Sequence, residues 1–227
     1  MALRWIVWGA LLVSCAMPLA GAEVVQVYAL GDGYKLNKEG TKIWSLGELD
    51  LAALKRKSRI WDSATSTISL AAARHETVAF QIIIQAGDAG ASDVDVKVGE
   101  LKGDKGVIPA GNVHLFKTWY VRTEATSSAN CAPSTGIGWY PDALVPWEVK
   151  GYGQYDGPPF AIEKNMVQSV WVDVDVSRGT PAGVYAGKIV VRMKGAEAEL
   201  KVVLRVRDLE PKAESKAVPR WSPATSE

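Results

Sequence analysis

Residues 170–176 read Val-Trp-Val-Asp-Val-Asp-Val, and this alternation of apolar and polar side chains decides the fold. Successive side chains of a β-strand point to opposite faces of a sheet. The four valines therefore share one face, while Trp171, Asp173 and Asp175 share the other. A slip of one residue would turn all four valines towards water, which fixes the register. The segment is predicted to be a half-buried strand of an antiparallel sheet.

The same period of two runs through most of the chain. It recurs in residues 93–98 and 198–208, whereas residues 76–85 and 113–121 are apolar on both faces. We expect the latter two in the middle of the sandwich or beneath a long loop. No long helices alternate with the strands, so the prediction is an all-β, antiparallel two-sheet sandwich of immunoglobulin-like or Greek-key type. Its eight or nine strands are predicted at residues 24–29, 59–62, 67–72, 76–86, 93–98, 113–121, 166–176, 183–193 and 198–208.

One helix is predicted, at residues 46–56. Ser45 would cap its first turn, and Glu48 would complete a capping box. Its apolar stripe is thin, because only Leu46, Leu49 and Ala53 recur at helical spacing.

The two ends of the sequence differ in composition from the part between them. Residues 1–22 have a positive start at Arg4, a short apolar stretch and a small-residue cleavage pattern, which predicts a signal peptide and a secreted or periplasmic protein. The apolar stretch is too short to span a membrane. As an alternative, residues 12–15 resemble a lipobox in which Cys15 would be lipidated. The predicted β-sandwich domain covers residues 23–210, and residues 211–227 are expected to form a flexible tail or linker.

Charge and cysteine content exclude several kinds of partner and site. The 26 basic and 25 acidic residues nearly balance, so no electrostatic footprint for nucleic acid is present. Loss of residues 1–22 would leave Cys131 as the single thiol, which forbids an internal disulfide. We expect no cofactor.

Residues that could carry chemistry are few. His75 and His114 belong to different predicted extended segments and to no metal-binding pattern, so no metal site is predicted. Two Asp-x-Asp pairs, at residues 93 and 95 and at residues 173 and 175, would each place carboxylates roughly 6–7 Å apart on a strand. We favour solvated strand positions for these pairs over calcium binding or catalysis, since a strand face lacks the enclosing pocket that would separate two pKa values. No catalytic residue is predicted.

One long inserted loop, residues 122–160, is rich in glycine, proline and aromatic residues. A loop of this length is usually functional or ordered against another part of the protein. Sugars stack on Trp and Tyr faces, and a carboxylate or amide can contact their hydroxyls. The candidate glycan-binding residues are Trp139, Tyr140, Asp142, Trp147 and Tyr152. The alternative is that Trp139, Tyr140 and Trp147 pack the loop onto the sandwich or onto a neighbouring domain.

Four segments, residues 68–81, 140–146, 168–174 and 180–187, resemble the N-terminal β-sandwich of glycoside hydrolase family 123-like proteins. The most specific of these reads Tyr-Pro-Asp-Ala-Leu-Val-Pro, at residues 140–146. The resemblance implies a sandwich that precedes a (β/α)8 barrel, and in that family the barrel holds the acid pair for substrate-assisted removal of N-acetylhexosamine. No position here matches the catalytic motif, so no catalytic residue is carried over.

The resemblance therefore implies a non-catalytic accessory β-sandwich that supports or docks a carbohydrate-active barrel, its expected partner. The alternative is a free-standing glycan-binding module or a surface interaction domain, for which the partner would be a glycan.

Overall fold

The computed structural model describes residues 25–45, 48–126 and 135–209. The predicted signal peptide, Cys15, Cys131 and the predicted tail at residues 211–227 lie outside these ranges, and so do the residues at positions 46 and 47. Within the described residues, no helix combines the length and the apolar character needed to cross a bilayer.

The described chain forms thirteen strands and one short α-helix. The helix α1 is Leu51–Arg56, and the strands are β1 (Gln26–Gly31), β2 (Trp61–Asp62), β3 (Thr67–Ala73), β4 (Glu76–Gln85), β5 (Ala91–Val98), β6 (Leu101–Gly103), β7 (Gly106–Ile108), β8 (Val113–Thr123), β9 (Gly138–Pro146), β10 (Phe160–Ile162), β11 (Val167–Val176), β12 (Gly183–Met193) and β13 (Ala196–Arg207).

The strands form two sheets, which confirms the predicted all-β sandwich. One sheet has five strands in the order β1-β4-β11-β8-β9. The other has eight, with β10-β5-β12-β13-β3-β2 along its main path and with β6 and β7 attached beside β12. All pairs of the described strands are antiparallel except β3 with β13, which run parallel, so the predicted antiparallel sandwich is confirmed with one parallel pair.

The predicted count of eight or nine strands is too low. Three of the missed strands, β6, β7 and β10, have three residues each and are too short to display a period of two. The fourth, β9, lies inside the segment that was expected to be one long loop. Its two prolines lie on an edge strand, which is where a sheet tolerates a residue that has no backbone N–H to donate.

The core lies where the inner faces of the two sheets meet. On β11 every second residue is buried, and Val172 is fully so, while Trp171 and Asp173 on the other face are only half-buried. On β13 the row from Leu200 to Val206 is buried in the same alternating way. The valine and leucine rows therefore occupy the face that their period predicted.

The outer face of the five-stranded sheet is covered as well. Ile83 of β4 is fully buried on this face, beside Tyr28 of β1. The covering segment comprises residues 34–45 and 48–57, and its Leu36 and Ile43 are buried in the same core cluster. The two-sided apolar character of β4 thus arises from this covering segment and not from the long loop.

The helix is shorter than predicted and has a different cap. It begins at Leu51, and the Asp50 side chain accepts a hydrogen bond from the Ala53 backbone N–H at 2.9 Å. Ser45 and Glu48 lie before it, so the predicted capping box is wrong. An Asp at the N-cap position satisfies an N–H that the first helical turn would otherwise leave unpaired.

Candidate functional site

The aromatic residues predicted to bind sugar start on strand β9. Tyr140 stacks on Trp44 of the covering segment, with 4.0 Å between ring centroids and 14° between ring planes. Its hydroxyl donates to the Gly136 carbonyl at 2.6 Å, and the Trp44 indole N–H donates to the Trp139 carbonyl at 2.8 Å. Tyr140 therefore fastens β9 to residues 34–45, with one face covered by Trp44.

The remaining predicted residues are spread over separate surfaces. Trp147 is buried, 9% exposed, and meets the Phe160 ring edge-on at 5.9 Å. Tyr152 is 72% exposed on the loop after β9, and Asp142 is exposed on β9 itself. The five residues do not converge on one platform, and of the five only Trp139 lines a pocket described below.

That pocket, which we call the β8–β11 cleft, opens where two neighbouring strands separate. The ladder between β8 and β11 ends at the pair Lys117–Val170, although β8 continues to Thr123 and β11 begins at Val167. The cleft has a volume of about 460 Å³. Its walls come from β8, β9, the segment before β11 and the loop after β9, including Trp119, Trp139, Gln154, Phe160, Glu163 and Gln168.

A lysine and a glutamine hold the cleft in shape. Lys117 is only 5% exposed, and its ammonium donates to the carbonyls of Gln154 and Asp156. Burial is the main cause that lowers the pKa of Lys117 below the ordinary lysine value. The Gln168 side-chain amide donates to the carbonyls of Thr118 and Ser169, both at 2.8 Å. It thereby spans the gap between the parted strands.

Carboxylates near the cleft are engaged with neighbours. Glu163 pairs with Lys38 at 3.2 Å and is 71% exposed on its side chain. Asp156 accepts a hydrogen bond from the Tyr152 backbone N–H at 2.6 Å. The Lys38 ammonium also lies 5.0 Å from the centre of the Trp139 ring, a cation–π contact that positions both side chains.

The histidines and the Asp-x-Asp pairs lie elsewhere. Asp175 accepts from the Thr77 hydroxyl at 2.6 Å and contacts His114 Nε2 at 3.0 Å, on the outer face of the five-stranded sheet. Asp173 accepts from the Trp171 indole N–H at 2.7 Å. The pattern predicted that these carboxylates only face water. In the structure Asp175 also links two neighbouring strands, and Asp173 accepts a hydrogen bond from a side chain of its own strand.

His75 departs from the extended conformation assumed for it. It lies in the tight turn between β3 and β4 with a φ of 59°. In residues 25–45, 48–126 and 135–209, no three His, Cys, Asp or Glu side chains come together in a way that could hold a metal ion.

Sequence reasoning missed most of the cleft. Lys117 lies between the large apolar residues Phe116 and Trp119, and a charged residue at such a position is a usable signal of a special environment. Gln168 and Trp119 carry no such signal, because their role depends on where β8 and β11 separate. That separation is a property of the assembled sheet.

The comparison with family models identifies one family. A model of the glycoside hydrolase 123 N-terminal domain matches residues 46–193. No curated protein matches the sequence.

Two solved structures show similarity to the fold. A family 123 glycoside hydrolase from Clostridium perfringens, analysed for glycolipid glycan hydrolysis, aligns with a TM-score of 0.60 and 15% identity over 82% of this chain. The chain spans only 28% of that enzyme's chain. The CooA pilin subunit from enterotoxigenic Escherichia coli aligns at 14% identity over 79% of this chain and 96% of its own, but its TM-score of 0.32 is too low to support an argument.

Proposed function

The chain belongs to the glycoside hydrolase 123 N-terminal domain family, and from this we propose that it is the non-catalytic β-sandwich of a family 123-like system, supporting or docking a carbohydrate-active barrel. The observation that carries the proposal is the extent of the family match. Residues 46–193 include everything from α1 to the end of β12, about two thirds of the chain. The match therefore spans most strands of the sandwich, from β2 to β12, and does not rest on one motif.

The chemistry of the described residues supports a non-catalytic role. Acid-pair hydrolysis needs two carboxyl groups that flank a bound sugar and titrate differently. In the β8–β11 cleft, Glu163 is ion-paired and largely exposed, and Asp156 accepts the N–H of Tyr152. Asp173 and Asp175 are held by neighbours on an outer sheet face.

We propose that the barrel docks against the outer edge of strand β9. This strand ends the five-stranded sheet, so one side of its backbone has no neighbouring strand among the described residues. Its exposed side chains include Ala143, Leu144 and Pro146, and Val121 on β8 is exposed nearby. An apolar strand edge of this kind is a favourable surface for a partner and a liability without one.

Docking can be tested with a separately produced family 123 catalytic barrel from the same source. Calorimetric titration of the barrel into this chain is expected to show saturable binding, which Leu144→Lys weakens at least about tenfold by placing a charge in an apolar contact. Val184→Lys is the matched control, because Val184 is a similarly exposed strand residue on the other sheet, 48% against 40% for Leu144. Absence of binding, or equal loss in both variants, would contradict docking at β9.

We further propose that residues 1–22 direct export and are removed, leaving Glu23 as the mature N-terminus. Intact-mass measurement of the protein recovered from its source is expected to give the mass of residues 23–227. A mass that corresponds to a lipidated N-terminal Cys15 would replace this proposal with membrane anchoring.

A further inference from the structure

The β8–β11 cleft has a buried hydroxyl that lacks a protein partner. Thr118 is 4% exposed, and its Oγ1 has no hydrogen-bond partner among the described residues. Buried polar groups are nearly always satisfied by protein, water or ligand. The backbone carbonyl of the same residue is already taken by the Gln168 amide. A polar ligand that enters the cleft and reaches this enclosed hydroxyl would give it the partner that the described residues do not supply.

Aromatic surface forms the apolar part of the same cleft. Trp119 and Trp139 line it, and Tyr155 packs against Trp119 with ring centroids 4.5 Å apart. Phe160 also lines the cleft, and its ring centre is 5.5 Å from the Lys117 ammonium. Rigid rings of this size provide contact area at a low cost in conformational entropy.

The charges that line the cleft balance. Lys38 and Lys117 contribute two positive groups, and Asp156 and Glu163 contribute two negative ones. Lys38 is paired with Glu163, and the Lys117 ammonium is bonded to backbone carbonyls. A ligand with a full charge would have to displace one of these contacts, whereas an uncharged ligand would not.

A neutral pyranose ring fits this combination of groups. It has an apolar C–H face for an aromatic wall and a rim of hydroxyls that both donate and accept hydrogen bonds. The cleft volume of about 460 Å³ falls within the range of small-ligand sites. We propose that the β8–β11 cleft binds one neutral sugar ring at the end of a glycan, with Thr118 Oγ1 bonding a ring hydroxyl and Trp139, which shares a sheet face with Thr118, contacting the ring.

This inference goes beyond the accessory role and is independent of it. Binding of a sugar in the cleft involves Thr118 of β8 and Trp139 at the start of β9, whereas the proposed docking surface lies farther along β9, at residues 143–146. A chain that binds the barrel and no sugar would overturn the sugar site alone. A chain that binds sugar and no barrel would overturn the docking proposal alone.

The test begins with the whole chain on an array of neutral and acidic glycans. The terminal monosaccharide of the strongest glycan is then titrated into ¹⁵N-labelled protein. The expected result is preference for neutral termini, with the largest shift at the indole N–H signal of Trp139. Preference for acidic termini, shifts confined to other tryptophans, or no binding to any glycan would each overturn the proposal.

Two variants and one control localise the site. Thr118→Val keeps the side-chain shape, removes only the unpartnered hydroxyl, and is expected to leave the fold intact and to weaken binding about tenfold. Trp139→Ala is expected to abolish detectable binding. Tyr152→Ala is the control, because this aromatic residue is exposed on the loop and does not line the cleft. Unchanged affinity in Thr118→Val, or loss in Tyr152→Ala, would contradict the assignment.

Discussion

Gln81 is a buried polar residue that connects several segments of the core by hydrogen bonds. It lies within the apolar run of β4 and is only 3% exposed. Its amide donates to the carbonyls of Gly31 and Tyr34 at 3.0 and 2.7 Å, and its Oε1 accepts from the Ser169 hydroxyl at 2.9 Å. Gln81 thus links β4 to the end of β1, to the covering segment and to β11.

We predict that Gln81→Ala destabilises the fold through the groups that it leaves unpaired. Each buried polar group without a partner costs about 1–3 kcal/mol, so the loss should exceed that of an ordinary surface substitution. Urea unfolding would measure it. Ser169→Ala is the companion variant, and the double variant should lose less than the sum of the two singles. Strict additivity would contradict the direct bond between Gln81 and Ser169.

Two buried tyrosines predict a fall in stability at alkaline pH. Burial raises the pKa of Tyr28 and of Tyr120 above the ordinary phenol value. An acid whose pKa is raised by folding contributes stability that is complete below its unfolded pKa of about 10 and is lost as pH rises above it. Burial lowers the pKa of Lys55 and of Lys117. These two lysines therefore make the free energy of unfolding increase with pH, up to the unfolded lysine pKa of about 10.5.

The free energy of unfolding should therefore decrease above about pH 10, by about 1.4 kcal/mol per pH unit for each of the two tyrosines. Urea unfolding at a series of alkaline pH values would measure this slope. The double variant Tyr28→Phe, Tyr120→Phe should flatten it. An unchanged slope in that variant would show that other groups cause the alkaline loss.

At the scale of elements, close backbone approach fixes where β6 joins the larger sheet. A Cβ atom built on Gly187 of β12 would lie 2.6 Å from the Glu100 carbonyl oxygen and 2.6 Å from the Leu101 side chain. Strand β6 begins at Leu101 and pairs with β12 at Tyr185 and Ala186. The missing side chain of Gly187 allows this segment to lie against β12.

We predict that Gly187→Ala lowers the free energy of unfolding by about 1–3 kcal/mol, the usual cost of overpacking. Thermal or urea unfolding would detect the change. Gly179→Ala is the matched control, because no atom lies within 4 Å of the position that its Cβ would occupy. Equal stability of the two variants would contradict the close contact between Gly187 and the backbone at Glu100.

Some strands of this fold can be predicted from the sequence and others cannot. The valine row of β11 and the row from Leu200 to Val206 on β13 were predictable, since burial of one face imposes a period of two. Strand β9 was not, because Gly138, Pro141 and Pro146 are typical of loops. Its strand character depends on pairing with β8, with a register shift between Trp119 and Tyr120.

For the molecule as a whole, the sandwich and its family could be predicted, whereas the cleft between β8 and β11 could not. The predicted aromatic set assumed one loop presenting five residues together. The pairing of β9 with β8 places Trp139 at a cleft, while Trp147 is buried beside Phe160. The cleft itself depends on where the β8–β11 ladder ends. The packing of distant segments determines that end point, so the period of the sequence does not predict it.

We propose that this sandwich contributes to carbohydrate degradation without breaking a glycosidic bond itself. The most direct test is an assay of the purified whole chain against chromogenic N-acetylhexosaminides. The expected result is no release of chromophore above the buffer control. Hydrolysis that follows the protein through purification and is lost in Glu163→Gln, which alters the exposed carboxylate at the cleft, would contradict the claim.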